Sequence, residues 1–100
     1  MKTTLRYELV AGRYSTPEPS LRMTCPEGTS YKLVMAELHK LTSKVYIAAE
    51  RLAGGQYGWS PEPKIREDGT AAGRVRIELD KGTPEEIALA EIVLRSCMPA

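Results

Sequence analysis

Between Ser30 and Ala53 the apolar residues Val34, Leu38, Leu41, Val45, Ala48 and Leu52 recur in alternating steps of four and three. Such steps return a side chain to one face of a helix with 3.6 residues per turn, so the spacing predicts a helix with one buried stripe. Glu37, Lys40, Lys44 and Arg51 fall away from that stripe. Gly54-Gly55 follows as a stop, and Thr29 or Ser30 precedes as a cap. At about 1.5 Å per residue the segment spans roughly 36 Å, enough to cross a whole small sheet. Ala48, Ala49 and Ala53 thin its second half, where close approach of the last helix is expected.

The rest of the chain must supply what that stripe packs against. From Thr4 to Val10, Leu5, Tyr7 and Leu9 alternate with Thr4, Arg6 and Glu8, the period of a strand with one buried face, and Gly12 ends it. Pro17 and Pro19 mark Ser15 to Ser20 as a loop, after which Leu21 to Thr24 returns as a second strand. Gln56 to Pro63 is a Gly- and Pro-rich loop holding the only tryptophan, Trp59. Lys64-Ile65-Arg66 and Arg74 to Leu79 alternate again around Asp68-Gly69, predicting a hairpin. Thr83-Pro84-Glu85-Glu86 carries a threonine cap, a proline at the first helical position and a Glu86 spaced to close a capping box. Ile87, Leu89, Ile92, Val93 and Leu94 then surround most of a helix from about Pro84 to Cys97, with Glu91 and Arg95 as its wet edge.

A faint echo links Thr16 to Arg22 with Ser60 to Arg66, both reading Pro-Glu-Pro before a strand; over so few residues chance explains it better than duplication, yet it favours the ββαββα order over βαββα. The expected fold is α+β in a single domain, residues 1–100: a small antiparallel sheet of three to four strands, in ββαββα or βαββα order, with two helices packed on one face. A sheet with one apolar parity can be covered on only one side. A chain of 100 residues buries roughly 60 to 65% of its unfolded surface and needs no staples. With 42% apolar and 27% charged residues its composition is that of a globular chain.

No motif specifies a reaction. The chain has one histidine, His39, off the apolar stripe, and two aspartates, with neither a nucleophile elbow nor a phosphate-binding glycine loop. The glycines of Gly54 to Gly58 follow a helix, the wrong context for a dinucleotide fingerprint. Cys25 and Cys97 lack the C-x-x-C spacing of a zinc or redox site, so no metal and no cofactor are expected. The N-terminal residues contain no apolar run of signal-peptide length and no stretch suits a membrane span, so a cytoplasmic protein without a membrane partner is expected.

A net charge of +1 excludes no partner class, so the distribution of charge matters. Turning Leu5, Tyr7, Leu9, Leu21, Met23, Ile65, Val75, Ile77 and Leu79 toward the helices turns Arg6, Glu8, Arg22, Lys64, Arg66, Arg74, Arg76 and Glu78 outward. Six bases against two acids make a basic face of about +4. Five of the six are arginines, suited to bidentate contact with carboxylate or phosphate. Tyr57 and Trp59 are candidates for a stacking platform beside it, against the alternative of a lid folded onto the core. The expected function is non-enzymatic binding. Arg6, Arg22, Lys64, Arg66, Arg74, Arg76, Tyr57 and Trp59 would contact an acidic protein surface, as in a small accessory or inhibitory factor of a phage or mobile element. The alternative is a nucleic-acid binder using the same arginines on phosphates. Monomer and homodimer both remain open, and a purely solvated face is the competing account of the same charges.

Overall fold

The computed structural model describes residues 5–11, 18–65 and 71–98. Gly12 to Pro17, Arg66 and the Asp68-Gly69 turn lie outside them. The element order is β1 (Arg6–Val10), β2 (Ser20–Thr24), α1 (Tyr31–Ala53), β3 (Pro61–Ile65), β4 (Ala72–Ile77) and α2 (Pro84–Ser96), so the ββαββα order holds. The four strands form one antiparallel sheet in the order β1-β2-β4-β3. The two hairpins lie side by side, and each helix crosses the opposite hairpin: α1 packs on β3 and β4, α2 on β2 and β1. Both cover the same face, where Leu21, Met23, Val75 and Ile77 are wholly buried beneath Leu38, Val45, Val93 and Leu94.

α1 begins at Ser30, whose Oγ accepts the Leu33 N–H at 3.3 Å, and ends at Gly54, whose N–H donates to the Glu50 carbonyl at 3.0 Å. Its 23 residues correspond to about 34 Å, most of the molecule's 41 Å long axis. The last residue of the expected stripe, Leu52, is 42% exposed, because the thin end of the helix turns Ala48, Ala49 and then Ala53 toward the core instead. Gly73 lies where the helix meets the sheet. A Cβ there would lie 2.9 Å from Leu38 Cδ2 and 3.0 Å from the Lys64 carbonyl oxygen, so any larger residue would force the Leu38 side chain or the neighbouring strand β3 to shift.

Two of the sequence expectations change here. Pro61 to Pro63 belong to β3 and not to a loop. β3 is an edge strand, and every second residue of an edge strand points its nitrogen away from the sheet, so proline there removes no ladder bond. The Pro-Glu-Pro echo therefore marks no duplication, because Pro19 precedes the second strand of its half whereas Pro61 and Pro63 lie inside the first strand of theirs. α2 is not buried on nearly all sides: Ile92 is half exposed, and Ala88, Arg95 and Ser96 share its wet face.

Candidate binding face

The outward parity of the sheet is polar as expected, and strand register arranges it into rows. Glu8 stands opposite Arg22, Arg22 opposite Arg74, and Arg74 opposite Lys64, so one row crosses all four strands with three adjacent cations. Residues directly opposite on antiparallel strands have Cβ atoms about 4.5–5.5 Å apart, where like charges destabilise the sheet. Glu8 relieves one end, its Oε1 lying 4.0 Å from Arg22 Nη1, and Glu62 lies 3.9 Å from Lys64 Nζ at the other. These groups are exposed, so such pairs contribute little. Arg74, at the centre, has no carboxylate within 4 Å among the described residues. Arg22, Lys64, Ile65, Gly73 and Arg74 line a shallow depression of about 430 Å³.

The next row is different in kind. Arg76 stands opposite Glu62 and donates to its Oε2 at 3.0 Å, with its Nε buried and unpartnered among the described residues. Arg76 is thus held in the sheet, while Arg22, Lys64 and Arg74 remain exposed. Arg6 is exposed at the far edge, opposite Thr24. Glu62, read as a loop residue, joins this face because β3 starts at Pro61. Leaving Arg66 aside, the described face holds five cations (Arg6, Arg22, Lys64, Arg74, Arg76) and three carboxylates (Glu8, Glu62, Glu78), an excess of two where the same residues without Glu62 would give three. Arg66 lies outside the described residues. Glu62 was readable once Pro61, Pro63 and Ile65 are taken as one inward parity.

Tyr57 and Trp59 do not form a platform on this face. Trp59 is buried in the core cluster, its indole stacked on the Tyr57 ring at 5.2 Å between centroids and 13° between planes. Its Nε1–H donates to Glu86 Oε2 at 2.7 Å. The lid alternative describes Trp59 correctly.

Glu86 is the functional-looking residue that local reading misplaces. Its N–H donates to the Thr83 cap at 3.2 Å, but its carboxylate accepts from the N–H groups of Asp80 (2.6 Å), Lys81 (2.7 Å) and Gly82 (2.7 Å) as well as from Trp59. The expected capping box is replaced by a larger one, because residues 80–82 turn consecutive amides toward one point. Gly82, at φ +72°, makes that turn without strain. Burial alone would raise the Glu86 pKa, but these four donors outweigh it and hold the carboxyl below the ordinary glutamate value. This anion is wholly buried and fully satisfied, so it serves structure and not exchange with solvent.

A second groove, between α1, β1 and the end of α2, is lined by Tyr7, Lys44, Ile47, Arg51 and Cys97 among others. Burial raises the pKa of the Tyr7 hydroxyl, with Glu37 and then Cys25 adding to it, and burial likewise raises the Cys97 thiol although Lys44 and Arg51 oppose it. Both groups are thus protonated at neutral pH and neither is an activated nucleophile. Cys25 and Cys97 are free thiols, and burial followed by Glu37 also raises Cys25. Among the described residues no group of three or more His, Cys, Asp or Glu could hold a metal ion, and no helix is long and apolar enough to cross a membrane. Comparison of the chain with protein-family models, curated proteins and solved structures gave no match.

Proposed function

We propose that this protein is a non-enzymatic binding module whose open sheet face, centred on Arg22, Arg74 and Lys64, docks against an acidic protein surface. The observation that carries the reading is the row itself: three cations adjacent across strands, the central one without a carboxylate within ion-pair distance among the described residues. Such a row opposes sheet stability, and an acidic partner would neutralise it on binding. Guanidinium groups favour carboxylates because their paired N–H donors match both oxygens. Masking of an acidic surface, in the cytoplasm, is how a domain of this size would act as an accessory or inhibitory factor.

Phosphates are the competing ligand for the same arginines. One feature favours protein over nucleic acid: the rings that would stack on bases, Tyr57 and Trp59, are stacked on each other, with Trp59 buried in the core. Titrating the isotopically labelled protein with poly-L-glutamate, and separately with a short DNA duplex, at low and at physiological salt tests the choice. Amide shifts centred on Arg22, Lys64 and Arg74 with poly-L-glutamate, abolished by Arg74→Glu, are expected. Tighter binding of the duplex with a steep salt dependence would overturn the protein reading, since phosphate contacts release counterions.

A further inference from the structure

The two edges of the sheet are built differently. β3 carries Pro61 and Pro63, which cannot donate to a ladder and so block a further strand. β1, the other terminal strand, has no proline, and among the described residues nothing pairs with its outer side. Its inward residues Tyr7 and Leu9, and Leu5 just before it, are only partly buried, whereas Leu21 and Met23 on the neighbouring strand are wholly buried. The open backbone edge thus runs beside an incompletely covered apolar strip.

We propose that this edge binds a second copy of the chain: β1 of each copy pairs antiparallel about a two-fold axis through Tyr7, joining two sheets into one of eight strands. The register follows from side-chain chemistry. A two-fold axis between two residues would set an inward side chain opposite an outward one, turning Arg6 and Glu8 toward the apolar side. Axes through single residues keep the faces aligned. Centred on Arg6, the pairing sets arginine against arginine, and centred on Glu8 it sets glutamate against glutamate, both unfavourable. Centred on Tyr7, it sets Arg6 opposite Glu8 of the second copy twice over on the outer face. On the inner face Leu5 meets Leu9 and Tyr7 meets its own counterpart. Centred on Leu9 or Val10 the pairing leaves both charges without a counterpart, so of the registers centred within the strand this one alone makes it self-complementary in charge as well as in apolarity, as a closed two-fold interface requires. Glu8 is free to take part, because its contact with Arg22 is a 4.0 Å exposed pair. The same geometry sets the two Arg22–Arg74–Lys64 rows on one continuous face, but self-association needs no acidic partner and stands or falls independently of that reading.

Sedimentation velocity of the full chain, from low to high micromolar concentration, tests the proposal. The mass is expected to rise from 11.1 kDa toward twice that value. Arg6→Glu and Glu8→Arg, both at exposed positions, are each expected to weaken the dimer by about tenfold or more, because symmetry makes two like-charge pairs from each change. Mixing the two variants is expected to restore association, since each strand then presents the charges the other lacks. A chain that stays monomeric throughout, a dimer indifferent to both substitutions, or a mixture that fails to reassociate would each overturn the proposal.

Discussion

Glu86 and Arg74 are both charged residues at regular positions of an element, and the fold treats them in opposite ways. Glu86 lies in the first turn of α2, wholly buried, with four N–H donors on its two oxygens. Arg74 lies at the centre of the sheet's open face, exposed, between two further cations. Desolvating a charge is costly unless its hydrogen bonds are restored inside the protein, so the fold must use Glu86 completely or not bury it at all. No such constraint acts on Arg74, and its neighbours make its charge a small liability to the sheet. The contrast separates charge that the structure consumes from charge that it leaves available.

The largest expected effect breaks the consumed charge. Glu86→Ala leaves the Trp59 indole and three loop amides without their acceptor and is expected to cost roughly 3 to 5 kcal/mol in urea unfolding. A loss under about 1 kcal/mol would mean that water replaces the carboxylate and that the site is not a structural hub. Trp59→Phe keeps most of the ring but removes one donor to a charged acceptor, with an expected loss of about 2 kcal/mol. It also exposes whether Tyr57 stays stacked, which the fluorescence of the remaining tyrosines reports.

Acid titration sharpens the same side of the comparison. The folded Glu86 pKa lies below its unfolded value, so the stability it contributes is fully present above the ordinary glutamate range and is lost as pH falls through the lower, folded value. Unfolding free energy measured from pH 7 downward is expected to decline in that window, and Glu86→Gln to flatten the decline. A decline of the same size in the variant would assign it to other carboxylates. Thr83→Ala, which touches only the ordinary cap of α2, is expected to cost about 1 kcal/mol. A larger loss would show that the cap and the Glu86 hub act as one unit.

Much of this architecture was legible in the sequence wherever a local signal decides the outcome. Ser30, Gly54 and Thr83 mark helix ends through bonds made within a few residues, and the alternation of β1, β2 and β4 fixes which side chains face the helices. What escaped depends on distant parts of the chain. Proline argues against a strand unless that strand is an edge, and only the assembled order makes β3 an edge. Leu52 fits the helical period, but at this end the buried face runs through Ala49 and Ala53 and leaves Leu52 outside. Trp59 and Glu86 are 27 positions apart, so neither stretch reveals the hydrogen bond that decides both roles. The basic row was visible as a parity, but its adjacency, and the dilution by Glu62, follow from the pairing of β2, β4 and β3.

The smallest expected change in stability is the most informative, because it asks whether the fold uses Arg74 at all. Urea unfolding of Arg74→Glu at low and at high salt measures this directly. A carboxylate between Arg22 and Lys64 replaces two like-charge neighbours with two opposite ones, so stability is expected to stay unchanged or rise by about 0.5 kcal/mol, with any rise vanishing at high salt. A loss of more than about 1 kcal/mol, insensitive to salt, would contradict the account by showing that the sheet itself depends on the Arg74 side chain.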